Sequence, residues 1–538
     1  MTLGDVEPDP APETPPVPAL AGRAAACADR LVAADEVLLA SHIDADGLTS
    51  AAVAATALRR AGVPFETTFA KQLDAEEVAK VAATDYDTVL FTDFGSGQLD
   101  HIAAHEARGA FTPVIADHHQ PADAETEYHL NPLLEGIDGA SELSGAGAAY
   151  VLARAMEDAT VDETADETDG DTVSASDTSH DGTGDSPTPR ADGGLAALAS
   201  GPSAGPTPSD NRDLAALAVV GAVGDMQDSD GGLVGANRRI VAEGVAAGVI
   251  EEQTDLALYG RQTRPLPKLL EYASDVQIPG ISDDKNGAVE FLHDTGIELK
   301  TDDEWRRWVD LDGTERQTVV SALLRRAVGS GVPPDRVERL VGTTYVLTDE
   351  EPGTELRDVS EFSTLLNATA RYERADVGLA VCLGDRDEAL GRAQTLLRQH
   401  RRNLSEGVQL VQSEGTEQRD NLQWFDAGTR IRETIVGIVA GMAVGSDGIP
   451  RSVPIIAFAE KNAEELKVSA RGTHTLVRRG LDLSVVMSEA AGAVDGAGGG
   501  PDVAAGATIP KERRDEFLDH ADEIVGRQLG GDDSRESG

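Results

Sequence analysis

The chain has 538 residues, 40% of them hydrophobic, enough for two domains with a substantial core. Asp and Glu total 95 against 46 Lys and Arg, and the formal net charge of −49 argues against a simple electrostatic grip on nucleic acid. It fits instead the solvated acidic surface of a protein from a high-salt cytoplasm, where molar salt shortens like-charge repulsion to about 3 Å.

Cys27 and Cys382 form no C-x-x-C pair, which argues against a disulfide framework and a zinc ribbon. The acidic, Pro-containing N-terminus has no signal-peptide pattern, and no apolar run approaches the roughly 20 residues that span a bilayer. A cytoplasmic protein with no membrane partner is expected. Residues 1–20 are Pro-rich and acidic and are expected to be a disordered tail.

Glu36–Ser41 is a short apolar run with the pattern of a buried strand. The loop His42–Gly47 follows, then an Ala-rich helix over Leu48–Ala61. Phe65–Ala70 reads as a second strand and Asp74–Ala83 as a helix. Thr88–Thr92 and Pro113–Ala116 read as strands ending at Asp93 and Asp117. Such alternation predicts an α/β fold with a parallel, doubly wound sheet, whose ligands bind beyond the carboxyl ends of the strands. Asp44, Asp46, Asp93 and Asp117 all fall there.

A helix over Gly145–Met156 precedes residues 157–212, a stretch dominated by Asp, Thr, Ser, Gly and Pro. Such a segment buries too little apolar surface to offset its ordering entropy, so a disordered acidic insertion is expected within a first domain spanning 21–255. A helix resumes at Leu214 and ends in the loop Gly224–Asp228, and another begins near Val234. Residues 256–340 are expected to be a helical connecting region, with helical pattern at Trp305–Trp308 and Arg316–Val328. A second, smaller α/β domain is expected over 341–530. Its strand candidates are Thr344–Leu347, Gly378–Leu383, Val453–Phe458 and Leu466–Ser469, with a long helix over Asp387–Arg402 and a glycine-rich loop at Gly496–Gly500. Trp305, Trp308 and Trp424 have no basic patch around them and read as packing residues rather than base-stacking platforms.

Four acidic motifs carry the chemistry: His42-Ile43-Asp44-Ala45-Asp46-Gly47, Thr92-Asp93-Phe94-Gly95, Ala116-Asp117-His118-His119 and Gly224-Asp225-Met226-Gln227-Asp228. Each alone is ordinarily a turn or a helix cap. Together they place a metal-ligand residue at the same end of successive elements. Two divalent cations about 3.5–4 Å apart need a bridging carboxylate, terminal carboxylates and often an imidazole. Asp93 suits the bridge, Asp44 and Asp46 can face different ions, and His118 and Asp225 can complete the second. Carboxylate-rich ligation favours Mn²⁺ or Mg²⁺. His42 stands either as a further ligand or as a hydrogen-bonding loop residue.

The four motifs, in this order, resemble the signature motifs of DHH phosphoesterases. Thr92-Asp93-Phe94-Gly95-Ser96-Gly97 and Gly224–Asp228 look most like archaeal RecJ-like single-strand-specific nucleases. Lys467–Arg471 and Gly499–Gly506 resemble substrate-binding motifs of the associated DHHA1 domain, except that Pro501 stands where that family usually has a histidine. The resemblance implies that Asp44 and Asp93 hold one cation, and that Asp46, Asp93, His118 and Asp225 hold the other. Asp117 and His119 then orient ligands or touch phosphate. Arg471 grips phosphate, and Gly499 and Gly500 let backbone approach the nucleotide, in a groove with metals on one wall and Arg471 on the other.

The stretch carrying Arg357, Asn367 and Arg371 also resembles archaeal relatives, with Arg371 read equally as a substrate contact or a helix-surface charge. The implied function is a two-metal exonuclease on single-stranded DNA or RNA in replication or repair. Two alternatives are a phosphodiesterase for oligoribonucleotides or cyclic dinucleotides, and a scaffold associated with GINS or other replication proteins.

Overall fold

The computed structural model describes residues 15–166, 210–228, 231–273, 276–446 and 448–530. The chain divides into two compact units, residues 1–393 and 394–538.

In the first unit, β1 (Val37–His42), β2 (Phe65–Ala70), β3 (Thr88–Thr92), β4 (Thr112–Ala116) and β5 (Tyr128–Leu130) form one parallel sheet in the order β2-β1-β3-β4-β5. β1, β3 and β4 are buried along nearly their whole length, which is why they read as unbroken apolar runs. α1 (Ala21–Val32) and α2 (Ala45–Ala61) cover one face. α3 (Ala75–Ala82) and α4 (Leu99–Glu106) bury Val78, Val81, Leu99 and Ile102 with Phe91 and Ile115 on the other. α5 (Gly145–Asp166) packs against α1 and α2, and α6 (Ala215–Gly224) against α2 and α5. α7 (Gly235–Ala246) packs on α6 and leads into β6 (Ile250–Leu256). The strand order reverses between β1 and β3, so their outgoing loops open a crevice at the switch point.

Several expectations are corrected. Residues 15–20 do not behave as a loose tail: Val17 and Leu20 are buried, as their apolar side chains require. Residues 1–14 lie outside the described residues. α5 continues past Met156 to Asp166, and the Asn211–Leu214 turn buries Asn211 and Leu214. Only 167–209 of the acidic insertion lie outside the described residues. Gly378–Leu383 is no strand but part of the helix Ala375–Cys382. A six-residue apolar run carries too little periodicity to separate a buried strand from a buried helix. This helix needs Gly378, where a Cβ would meet Leu48 and Thr369 at 2.6 Å. Trp305–Trp308 is likewise no α-helix: Asp302 and Asp303, both at positive φ, turn the chain between the strands Lys300–Thr301 and Glu304–Trp305, and Trp308 only opens the 3₁₀ turn Trp308–Asp310. The Gly313–Gly329 helix is where the pattern put it.

The second-domain boundary also shifts. Val341–Leu347 pairs antiparallel with β6 from Ile250↔Leu347 to Leu256↔Val341, tying both flanks of the connecting region into one ribbon. The helix Val359–Arg371 packs on α6, so residues 341–393 belong to the first unit.

The second unit carries a mixed sheet. Its strands, in spatial order, are Glu417–Gln418, Gln423–Asp426, Ile455–Glu460, Glu465–Arg471, Ala504–Pro510 and Ala497–Gly499. Trp424, Phe458 and Val468 pack one face against the helices Leu483–Gly492 and Arg514–Leu529. Phe425, Ile455 and Ala457 pack the other against Val436–Ala443. Three residues of the expected glycine loop form an edge strand instead, because Ala497–Gly499 pairs with Gly506–Thr508.

Candidate metal centre

The loop after β1 is held by its own backbone. Asp44 caps α2, its Oδ1 accepting from Gly47 N at 3.0 Å, so the helix starts at Ala45 rather than Leu48. Gly47 is required there, because a Cβ would lie 2.2 Å from the His42 carbonyl oxygen. The helix Val359–Arg371 supports the same turn: Asn367 Oδ1 accepts from Ala45 N at 3.2 Å. Asp46 points inward and is 2% exposed; its two oxygens accept from Gly145 N at 2.7 Å and Ala146 N at 3.0 Å, at the start of α5. Gly145 and Gly221 keep that approach open: a Cβ on the first would meet Asp93 Oδ1, and on the second Asp46 Oδ1, at 2.5 and 2.4 Å.

Asp93 follows β3 with φ of 59°, a left-handed conformation that is uncommon without glycine and turns the side chain into the crevice. Its two oxygens face different partners. Oδ2 lies 3.3 Å from His42 Nδ1, which is also 3.2 Å from Asp44 Oδ2. Oδ1 lies 3.3 Å from His118 Nε2, which is 3.8 Å from Asp46 Oδ2. Asp225, at the end of α6, completes the second side with Oδ2 3.8 Å from His118 Nδ1. Two ligand sets result, His42–Asp44–Asp93 and Asp46–His118–Asp225, each with donor atoms within 4.8 Å of one another. Asp93 also groups with Asp117, His118 and His119 in a third set.

Asp117 belongs to that third set but is already committed. Its Oδ1 accepts from His118 N at 2.7 Å, His119 N at 3.2 Å and His119 Nδ1 at 2.8 Å, and its Oδ2 from Ser96 N at 2.9 Å. It therefore orients the two histidines, and by raising the pKa of His119, more than half exposed, it favours the protonated ring whose Nε2–H can donate to an anion. His118 Nδ1 donates to the Gly139 carbonyl at 2.7 Å, which fixes the tautomer with Nε2 toward the carboxylates.

Several positioning residues escaped sequence reasoning. Gln227 Nε2 donates to both Asp225 Oδ2 and the Gly139 carbonyl at 2.9 Å, and Asn237 Nδ2 donates to Gln227 Oε1 at 2.6 Å. Asn131 holds Ser96 Oγ and the His119 carbonyl. Gln227 lies within a motif already singled out; the others carried no sequence signal.

Burial opposes charge throughout the cluster, and the partners decide the outcome. Burial lowers His42, but Asp44 and Asp93 raise it to about 11. Burial pushes Asp44 upward, but His42 and the Gly47 N–H hold it well below the carboxylate range. Asp46 stands well above that range, through burial and then the charges of Asp93 and Asp225. Asp225 is raised by burial, with His118 opposing. Crowded carboxylates with hard oxygen donors and two imidazoles form a donor set that divalent cations would neutralise.

In the second unit, Arg471 ends the strand Glu465–Arg471 and donates from Nη1 to the Ala470 carbonyl at 2.7 Å. Its side chain lies along Gly437 and Gly441, and a Cβ at Gly437 would meet Nη2 at 2.5 Å. Gly499 pairs with Gly506, and Gly500 turns the chain with φ of 135°. Arg357 is a structural residue, donating to the Thr348 and Glu350 carbonyls. Trp308 is buried with Nε1 donating to Asp255 at 3.0 Å, and Trp424 is buried edge-on to Phe458, so both pack as expected, whereas Trp305, on a short hairpin, is exposed.

Three family models match the chain: the DHH family N-terminal domain over residues 36–172, the DHH-CID domain over 258–341 and the DHHA1 domain over 424–527. The chain carries the DHH, DHH-CID and DHHA1 domains in that order, the domain set of a DHH/DHHA1 protein. The DHH-CID match gives an identity to the connecting region, which composition left unread. Over 497 residues the DHH protein is 28% identical to an uncharacterized protein of Methanocaldococcus jannaschii, covering 91% of this chain and 93% of that one.

Among solved structures it shares the fold of RecJ from Thermus thermophilus in complex with Mn²⁺, at TM-score 0.53 and 16% identity, covering 96% of this chain but only 56% of that protein. An exonuclease RecJ bound to manganese matches at TM-score 0.51 and 16% identity, over 95% of this chain and 94% of the other. CDC45 from Entamoeba histolytica matches at TM-score 0.57 and 11% identity, over 94% and 97%. Family and donor set together support a metal-dependent phosphoesterase. Among the described residues no helix is long and apolar enough to cross a membrane.

Proposed function

We propose that this DHH protein is a two-metal exonuclease on single-stranded DNA or RNA, acting in replication or repair. The carrying observation is that the Asp93 carboxylate faces both ligand sets, Oδ2 toward His42 and Oδ1 toward His118. His42, Asp44 and Asp93 would hold one cation, and Asp46, Asp93, His118 and Asp225 the other, Mn²⁺ or Mg²⁺. When bound, the ions polarise the scissile phosphate and make water easier to deprotonate. The protein's own part is positioning. Asp117 aims His118 and His119, and the Nε2–H of His119 donates to a phosphate oxygen. Arg471 presents its guanidinium fork to a phosphate, and Gly499 and Gly500 admit the sugar–phosphate backbone.

The test is degradation of end-labelled single-stranded DNA and RNA in high salt with Mn²⁺. Wild type should shorten a strand from one end, and Asp93→Ala should lose about a thousandfold or more in rate. Cleavage of neither polymer by folded wild type would overturn the reading. The CDC45 fold match favours a second reading, a scaffold role beside GINS or other replication proteins. That reading gains if wild type binds such a partner and cleaves nothing.

A further inference from the structure

The sheet order sets β2 and β4 on either side of β1 and β3, so the loops that follow them flank the donors. Between these loops a cleft of about 680 Å³ runs outward from His42, Asp93, Asp117 and His119. Leu73 and Phe94, only 4% and 7% exposed, line it with apolar surface. Gln72, after β2, and Gln120, after β4, line it with amides. Among the described residues neither amide has a hydrogen-bond partner in the protein, although every nearby donor in the metal centre has one.

Charge in this cleft is mostly paired, the exposed Asp100 and His101 lying 3.9 Å apart. Lys71 is paired with Glu373 at 2.7 Å, and Asp74 caps α3. What the cleft offers a ligand is a little apolar surface, the amides of Gln72 and Gln120, which both donate and accept, a third amide, Gln98, whose Oε1 accepts from Gly95 N, and an inner end at the phosphoesterase centre. Among the described residues a second phosphate finds no unpaired lysine or arginine there, whereas the edge of a neutral base meets amides that can both donate and accept.

We infer that this cleft is the subsite for the nucleobase of the nucleotide being released, read at its edge by Gln72 and Gln120. The inference rests on the phosphodiesterase reading above. The two fail differently in one experiment, which uses short single strands ending at both termini in thymidine or in the abasic tetrahydrofuran analogue, with Mn²⁺. Wild type should remove the base-bearing nucleotide about tenfold faster, and Gln72→Ala/Gln120→Ala should bring that ratio close to one. A wild type without the preference, or a double variant that keeps it, overturns the base subsite and leaves the nuclease standing. A double variant slowed equally on both strands overturns it too, because the glutamines would then be supporting the metal centre. A wild type that cleaves neither strand overturns both readings.

Discussion

The metal centre and the Arg471 surface divide one expected site into two kinds of construction. In the first unit most site carboxylates and imidazoles are held by fixed neighbours: Asp46 by the start of α5, Asp117 by four N–H groups, His118 by Gly139, Asp225 by Gln227. In the second unit Arg471 donates to the carbonyl of its own neighbour Ala470 and lies along Gly437 and Gly441, which leave its side chain room. The first construction fixes atoms for chemistry. The second gives an arginine room along a glycine-lined surface, as the proposed phosphate contact requires. The metal half should therefore govern turnover, and the arginine half should govern binding.

The largest effect should come from the metal half. Asp225→Ala removes a ligand of the second set and should lower kcat by about 10²–10³-fold with little change in KM, read from initial rates on a labelled single strand. A loss confined to KM would erase the distinction between the halves.

A second test concerns buried charge in the same unit but away from the donors. Glu361 is fully buried, accepting from Gln262 N at 2.8 Å and from the Thr263 hydroxyl. Burial and then the Asp358 charge raise it from its ordinary 4.5 to about 7. Its folded-state value lies above the unfolded one, so the folded protein holds the proton more tightly. That stabilisation is full below about pH 4.5 and is lost as pH rises to about 7. Glu361→Gln should thus leave stability unchanged near pH 4.5 and raise it above pH 7, by up to about 3 kcal/mol. Thermal melts across that window give the answer, and a variant less stable at pH 8 would contradict it.

How much of this was legible follows from where each residue sits. Asp93 and Asp117 could be read because each ends a fully buried apolar strand, and Asp44 and Asp46 because they share one short loop after such a strand. Asp225 ends a helix, where a lone aspartate is unremarkable, and it could be read only as the last of four acidic motifs taken together. β6, with the sequence IEEQTDL, is buried only at its ends, so no apolar run announced it or its pairing across the connecting region. Gly139 and Asn237 reach the site through contacts with residues distant in the chain, which local pattern does not record.

Smaller effects sharpen the contrast. Gln227→Ala frees Asp225 and half-satisfies the Gly139 carbonyl, and should cost about 10–100-fold in metal affinity or rate, partly recovered by raising Mn²⁺. Arg471→Ala should raise KM about tenfold with kcat nearly intact, and Arg471→Lys should recover only part of that, since an ammonium lacks the fork.

On the proposed function, Asp93 joins two cation sites. Titrating the protein with Mn²⁺ while following its electron paramagnetic resonance tests this directly. Wild type should take up two ions per chain with the signature of a spin-coupled pair, and Asp93→Ala should lose the coupling. One ion per chain, or two uncoupled ions in wild type, would contradict the account.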